Sequence, residues 1–270
     1  MKNKIAVLGC GNIGGAIARG LVKSKKYSSK NISLTRRQEP ALKKWDELGY
    51  NVTTDNKAAV KESGIIIIAV TPQQLNGLLE EIAPALNPKK HIIYSIVSGA
   101  SVKQIKSHIS KNVPVVRVMP NTAIAIQESM TCISADDEDR KAMDLAVQIF
   151  DNLGKTIVIQ EELMVPATAL CACGIAFFLR SVRAASQGGI EIGFHSSDAL
   201  FMASQTAKGA AAMLLAEGDH PENEVDKVTT PQGCTISGLN QMEHSGFSSS
   251  MIRGIVTSAE KARTLYSNDE

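Results

Sequence analysis

Aromatic side chains are scarce in this 270-residue chain, at 4% with one tryptophan, which leaves little for the stacked platforms that hold single-stranded nucleic acid. Charge of one sign is scarce too. The 29 lysines and arginines nearly balance 27 aspartates and glutamates, for a net charge of +2, so neither a nucleic acid nor a membrane surface is expected as partner. Cysteine occurs five times, an odd number scattered from Cys10 to Cys234, which is not a disulfide framework. With a strand-like segment at the N-terminus and no signal-like stretch before it, a reducing, cytoplasmic setting is expected. Cys171 and Cys173 are the closest pair. Positions two apart on a helix do not face each other, so both read as core thiols rather than as a disulfide or a metal clamp. No metal site is expected, and the five scattered histidines read as structural. No internal repeat is apparent, and no apolar stretch reads as long enough to span a membrane.

What the chain does have is a glycine pattern. Gly9, Gly11 and Gly14 lie in Ile5-Ala6-Val7-Leu8-Gly9-Cys10-Gly11-Asn12-Ile13-Gly14, a Gly-x-Gly-x-x-Gly between an apolar strand and an amphipathic helix. In that context the first glycine permits the tight turn, the second lets a pyrophosphate approach the backbone and the third lets helix pack on strand. The amides at the helix start then attract phosphate. A dinucleotide and redox chemistry are the expectation, against an ordinary closely packed corner. Which dinucleotide follows from the end of the second strand, where NAD sites usually carry an acid for the ribose hydroxyls. Here the chain reads Thr35-Arg36-Arg37-Gln38, a hydroxyl and two guanidinium forks suited to a phosphate. NADPH is therefore the expected cofactor, with NADH as the alternative.

The chain exceeds the usual single domain of roughly 100–200 residues, and 44% hydrophobic content can fill a sizeable core. We expect a dinucleotide-binding domain over 1–160 and a second domain over 161–270. In the first, apolar runs alternate with helical stretches as in an α/β, doubly wound parallel sheet. Strands are expected at 4–8, 31–34, 51–53, 65–70, 91–96, 114–118, 129–133 and 156–159. The all-apolar Ile65-Ile66-Ile67-Ile68-Ala69-Val70 reads as a central strand, whose end, with Thr71-Pro72-Gln73, should overlie the cofactor. Asn121, in Met119-Pro120-Asn121-Thr122, falls toward the same crevice. The second half reads as all helical, with one long apolar helix over 163–193 and others over 197–216, 221–228, 236–245 and 248–265, the last capped by Ser248. So small a helical domain would struggle to cover that long helix alone, and a dimer through this half is expected.

One more segment stands out, Thr229-Thr230-Pro231-Gln232-Gly233-Cys234-Thr235-Ile236, a loop that opens a helix. Its amides from Gly233 to Ile236 and the hydroxyls of Thr230 and Thr235 suit a small carboxylate. Equally, Thr-Thr-Pro is a common way to cap and start a helix. Sequence alone leaves both readings open.

Taken together, these motifs resemble the pyrroline-5-carboxylate reductase family along essentially the whole chain. The likeness rests on Gly9 to Gly14, Met119 to Thr122, Ala167-Thr168-Ala169-Leu170, Gln205-Thr206-Ala207-Lys208-Gly209-Ala210-Ala211, the Thr230 to Leu239 loop and Glu243-His244-Ser245-Gly246-Phe247. The resemblance implies an N-terminal Rossmann-type domain, an all-helical C-terminal dimerisation domain, dimers that associate further, and an active site formed between domains across the dimer. It implies NAD(P)H-dependent reduction of the cyclic imine 1-pyrroline-5-carboxylate to L-proline. Gly9, Gly11, Asn12, Ile13, Gly14, Thr35, Arg36, Arg37, Asn56, Ala69, Val70, Thr71, Pro72, Gln73 and Asn121 would contact the cofactor. Thr230, Gln232, Gly233, Cys234 and Ile236 would bind the substrate, and Thr235 would hydrogen-bond its ring nitrogen. The chain departs from the family pattern in three telling places. Cys171-Ala172-Cys173-Gly174-Ile175-Ala176 stands for Ser-Gly-Ser-Gly-Pro-Ala, Thr71 for a lysine, and Gln232-Gly233 for Gly-Gly. A β-hydroxyacid dehydrogenase of similar layout would need a lysine base on the long helix, and none lies between Gly174 and Gly189. A non-catalytic NADP-binding regulator is the remaining rival.

Overall fold

A computed structural model describes residues 4–109 and 112–266. In chain order the elements are β1 (Ile5–Leu8), α1 (Asn12–Lys23), β2 (Ile32–Thr35), α2 (Lys43–Asp46), β3 (Asn51–Thr53), α3 (Asn56–Glu62), β4 (Ile65–Ile68), α4 (Pro72–Ile82), β5 (Ile92–Ser95), α5 (Val102–Ile109), β6 (Val115–Met119), β7 (Ser129–Ala135), α6 (Arg140–Phe150) and β8 (Gly154–Val158). There follow α7 (Met164–Ala167), a wide π turn (Thr168–Cys173), α8 (Gly174–Glu191), α9 (Ser196–Glu217), α10 (Pro221–Val228), α11 (Cys234–His244) and α12 (Phe247–Arg263). All eight expected strands form, with ends shifted by at most two residues. Two compact units result, one reaching to Cys173 and taking in the C-terminal stretch from Ser258, the other Gly174–Thr257. The extremes of the expected division, 1–3 and 267–270, lie outside the described residues.

The sheet has the order β3-β2-β1-β4-β5-β6-β7-β8. Its first six strands are parallel in the 3-2-1-4-5-6 order of a Rossmann fold. β7 then runs antiparallel to β6, and β8 parallel to β7, so the sheet is mixed rather than wholly parallel. The cause is the connection 120–128, too short for the crossover that a parallel neighbour needs. Burial explains the unbroken apolar strands. Ile5, Val7, Ile65 and Ile67 fill the core on one face, and Ala6, Leu8, Ile66 and Ile68 fill the core on the other. Each buried isoleucine contributes about 1.5–3 kcal/mol, which holds β1 and β4 at the centre.

The corner between β1 and α1 is closely packed. Gly9 has φ +97°, and a Cβ there would stand 2.6 Å from the Ala69 carbonyl oxygen at the end of β4. A Cβ on Gly14 would stand 2.4 Å from the carbonyl oxygen of Gly9. On the far side, Lys106 Nζ lies 2.8, 2.6 and 2.9 Å from carboxylate oxygens of Asp136, Glu138 and Asp139, joining α5 to the start of α6.

The long apolar helix is not one continuous α-helix. Pro166 has no N–H to give, the Thr168 hydroxyl bonds back to the Met164 carbonyl, and the backbone widens into the π turn before α8 begins. The stretch Glu161–Glu191 is nonetheless long and apolar enough, by length and composition, to cross a membrane, contrary to the sequence reading. Cys171 and Cys173 are half-buried rather than core thiols. Ser248 does not cap α12, which starts at Phe247; its hydroxyl donates to Glu243 at 2.7 Å. In the second unit α8 and α9 meet where a Cβ on Gly189 would be 3.0 Å from that of Ala199. Large apolar side chains there face outward, Phe178, Phe201 and Leu215 being 64%, 72% and 85% exposed.

Gly14→Ala should lose about 1–3 kcal/mol of stability through overpacking against Gly9. The measurement is the urea midpoint at constant slope, and a midpoint equal to wild type would refute the contact.

Candidate active site

At the carboxyl ends of β1, β2 and β4, where the strand order turns outward from β1, lies a groove of about 900 Å³. It gathers Gly9, Gly11, Thr35, Arg36, Arg37, Asn56, Ala69, Val70, Thr71 and Gln73 of the expected cofactor set. Asn12 and Ile13 open α1 just beyond its lining, Pro72 opens α4, and Gly14 is buried under the loop. Asn121 is buried and engaged elsewhere. Its Nδ2 donates to the Cys171 carbonyl at 3.2 Å, and its Oδ1 accepts from the Ala123 amide at 3.0 Å.

The loop is built to present amides. Gly11 is the N-cap of α1, no side chain caps that helix, and no acidic residue stands in its first turn. The partial positive charge of the helix start is thus left for an anion. A Cβ on Gly11 would meet no atom within 4 Å, unlike one on Gly9 or Gly14. The lack of a side chain at 11 therefore serves the open face of the loop rather than internal packing, and these residues fit a dinucleotide pyrophosphate. The floor is inert: burial pushes the Cys10 thiol up to about 11, although Arg36, Lys44 and Arg19 pull the other way.

On the β2 side, Arg36 and Arg37 are exposed, with Arg36 Nη1 3.4 Å from the Cys10 carbonyl oxygen. The Thr35 hydroxyl donates to Asn56 Oδ1 at 2.6 Å, and Asn56 Nδ2 donates to Glu81 Oε2 at 3.1 Å. That chain fixes the Asn56 amide against the groove wall. The sequence reading missed Cys10, Gln38, Gln74, Gly77, Leu78 and Glu81. The last four follow one stripe of α4 at i, i+3, i+4 and i+7, a spacing that marks a single helix face. The signal was present but had no partner until the sheet placed α4 beside β1.

In the second unit, the loop before α11 settles a point that sequence left open. The N-cap is Gly233, whose amide donates to the Thr230 carbonyl at 2.9 Å, and no side chain caps the helix. Thr235 is half-buried and its hydroxyl makes no hydrogen bond among the described residues. Neither Thr230 nor Thr235 thus caps α11, whereas Thr229 closes the end of α10, its hydroxyl donating to the Asp226 carbonyl at 3.2 Å. A Cβ on Gly233 would press to 2.6 Å from Thr230 Oγ1, so the loop excludes a side chain there. Gln232 has φ +60°, a left-handed conformation that costs a non-glycine residue about 1–2 kcal/mol. The family pattern places glycine there, and the strain is the physical reason. Cys234 is exposed as the first residue of α11, and Ile236 is half-buried.

Residues 4–99 match the family model described as NADP oxidoreductase, coenzyme F420-dependent, and residues 161–265 match that for pyrroline-5-carboxylate reductase dimerisation. Over 280 residues the chain is 54% identical to pyrroline-5-carboxylate reductase 1 of Dictyostelium discoideum, covering 99% of this chain and 51% of that protein. With pyrroline-5-carboxylate reductase 2 of the same organism it shares 50% identity over 274 residues, 96% of this chain and 91% of the relative. The crystal structure of Plasmodium falciparum pyrroline carboxylate reductase with NADP bound is similar in fold, with a TM-score of 0.88 at 23% identity over 99% of this chain and 100% of that one. Fold, groove and likeness define the class, a Rossmann-type dinucleotide-binding protein. Within it, the chain belongs to the pyrroline-5-carboxylate reductase family. It spans about half the length of the first relative and nearly all of the second.

Gly11→Ala should leave stability within about 1 kcal/mol of wild type, the cost of alanine at an N-cap. NADPH affinity should fall about tenfold or more, roughly 1.4 kcal/mol, because the methyl group stands on the open face. Titration of cofactor fluorescence checks it, and unchanged affinity would remove Gly11 from the site.

Proposed function

We infer that this chain reduces 1-pyrroline-5-carboxylate to L-proline with NADPH, NADH serving as an alternative, as the last step of proline biosynthesis. The near full-length relationship to reductase 2 carries this reading, and the amide-lined groove gives it a chemical basis. In this assignment residues 1–160 bind the dinucleotide, and residues 161–270 form the dimerisation and substrate domain. Within the turn Gly9 to Gly14, the amides of Asn12, Ile13 and Gly14 at the start of α1 meet the pyrophosphate, since those of Gly9 and Cys10 donate to the Thr35 carbonyl and that of Gly11 to the Gly9 carbonyl. Arg36 and Arg37 meet the 2′-phosphate, while Asn56 and the turn from Ala69 to Gln73 complete the binding surface, and Asn121 is held away from it by its own hydrogen bonds. When bound, the reduced nicotinamide supplies a hydride to the imine carbon.

The loop from Thr230 to Ile236 holds the substrate. Free amides at the start of α11, with the Thr230 hydroxyl, bind its carboxylate, assisted by the helix dipole. Gln232 and Cys234 border that cradle. The ring nitrogen takes its proton from water, and the Thr235 hydroxyl oxygen accepts a hydrogen bond from the resulting iminium N–H. No strong acid or base is needed for such a substrate, and α8 carries Arg180 and Arg183 but no lysine. The protein works as a homodimer, with dimers associating further, in the cytoplasm and without nucleic acid. The outward apolar side chains of α8, such as Phe178 and Leu179, lie within the dimerisation match, so a second copy covers them rather than lipid.

The double substitution R36A/R37A should weaken NADPH by about tenfold or more, on the order of 1.5–3 kcal/mol for lost charge-assisted hydrogen bonds. NADH binding should barely change. An equal loss for both cofactors, measured by titration, would make the arginines structural.

Thr235→Ala should lower kcat for pyrroline-5-carboxylate by roughly 1–3 kcal/mol in barrier, with NADPH affinity and melting temperature unchanged. Thr235→Ser should keep most activity. Following reduced-cofactor absorbance on addition of the imine tests both the residue and the reaction: no decay with wild type would sink the assignment, and a purely thermal effect of the alanine variant would sink the role of Thr235.

A further inference from the structure

Cys132 lies on β7 and Cys171 in the π turn, 39 positions apart in sequence, yet their sulfurs are 3.8 Å from each other. Cys132 is buried beside Met119, Met164 and Ala167, whereas Cys171 is half-buried at the margin of that cluster. The arrangement is a buried thiol directly beneath a reachable one. Among the described residues no other pair of cysteine sulfurs comes within hydrogen-bonding distance.

We propose that Cys132 and Cys171 form an oxidisable dithiol, a modification site at which a hydroperoxide converts the two thiols into an intramolecular disulfide. The hydrogen bond from the Cys132 thiol favours a thiolate on Cys171 and lowers its pKa, while the same contact and burial raise that of Cys132. Thiolate is the form that attacks peroxide. The Cys171 sulfur forms a bond to the distal peroxide oxygen as the O–O bond breaks, giving a sulfenic acid and releasing alcohol or water. The Cys132 sulfur then attacks the Cys171 sulfur, the S–S bond forms, the S–O bond breaks and water leaves. Two thiols give up two electrons and two protons, and one hydroperoxide is reduced to one alcohol and one water.

Closing the gap from 3.8 Å to a disulfide length of about 2.05 Å asks for a shift of under about 2 Å, within reach of side-chain rotation on the wide turn. The bridge would tie that turn to β7 next to Asn121, whose amide already donates to the Cys171 carbonyl.

The full-length chain, reduced and then exposed to a small excess of hydrogen peroxide, is denatured and alkylated without reductant. Free thiols should fall by two from the five present, with the intact mass lower by two hydrogens. Digestion should yield one cross-linked peptide pair carrying Cys132 and Cys171, which dithiothreitol separates. In C132S, Cys171 should stop at a sulfenic acid that dimedone captures. Retention of all five thiols in wild type would overturn the proposal, as would a bridge mapped to any other pair or between two copies. Oxygen added to Cys171 while Cys132 stays free would overturn it equally, and each of these readouts comes from the unsubstituted protein.

Discussion

The turn between β1 and α1 is packed so closely, Gly9 against the end of β4 and Gly14 against Gly9, that neither position has room for a side chain. Much of the first unit depends on that contact. It seats the start of α1 over the carboxyl edge of the sheet, beside the strand where the order reverses, and so points free amides into the groove. The all-isoleucine β4 provides the rigid floor, buried on both faces and paired on both edges. A less constrained corner would let helix and sheet shift, and an anion site made of main-chain amides depends on their relative position.

The second unit follows a different logic. The first has two cores, one on each face of its sheet. The second buries few large side chains and leaves phenylalanines and leucines in the open. Such a surface is costly for an isolated chain, and the family model that matches 161–265 is described as a dimerisation region. Small residues along α9, such as Ala203, Ala207 and Ala210, leave its faces flat enough for close approach.

Both candidate binding elements contain a helix start that no side chain caps. At α1 and at α11 a glycine is the N-cap, and no acidic residue occupies the first turn. Main-chain amides are fixed by the fold, carry no proton to titrate and lose no side-chain entropy on binding. Gln232 shows the limit of that economy, since the loop geometry holds a non-glycine residue in a left-handed conformation.

Strands, glycine turn and family were all legible in the amino-acid order, because each rests on local regularity: apolar runs for buried strands, glycines where a backbone must turn or approach closely, motifs in fixed order. It also marked Thr35, Arg36 and Arg37, since strand ends converge on one edge in any parallel sheet. Tertiary structure alone decided the rest. The antiparallel β7, the stripe of α4 that brings Glu81 to Asn56, and the meeting of Cys132 with Cys171 all join segments distant in sequence. Whether Thr235 caps its helix or stands free was equally beyond the sequence. A threonine near a helix start suits both roles, and only the backbone path, which makes Gly233 the cap, separates them.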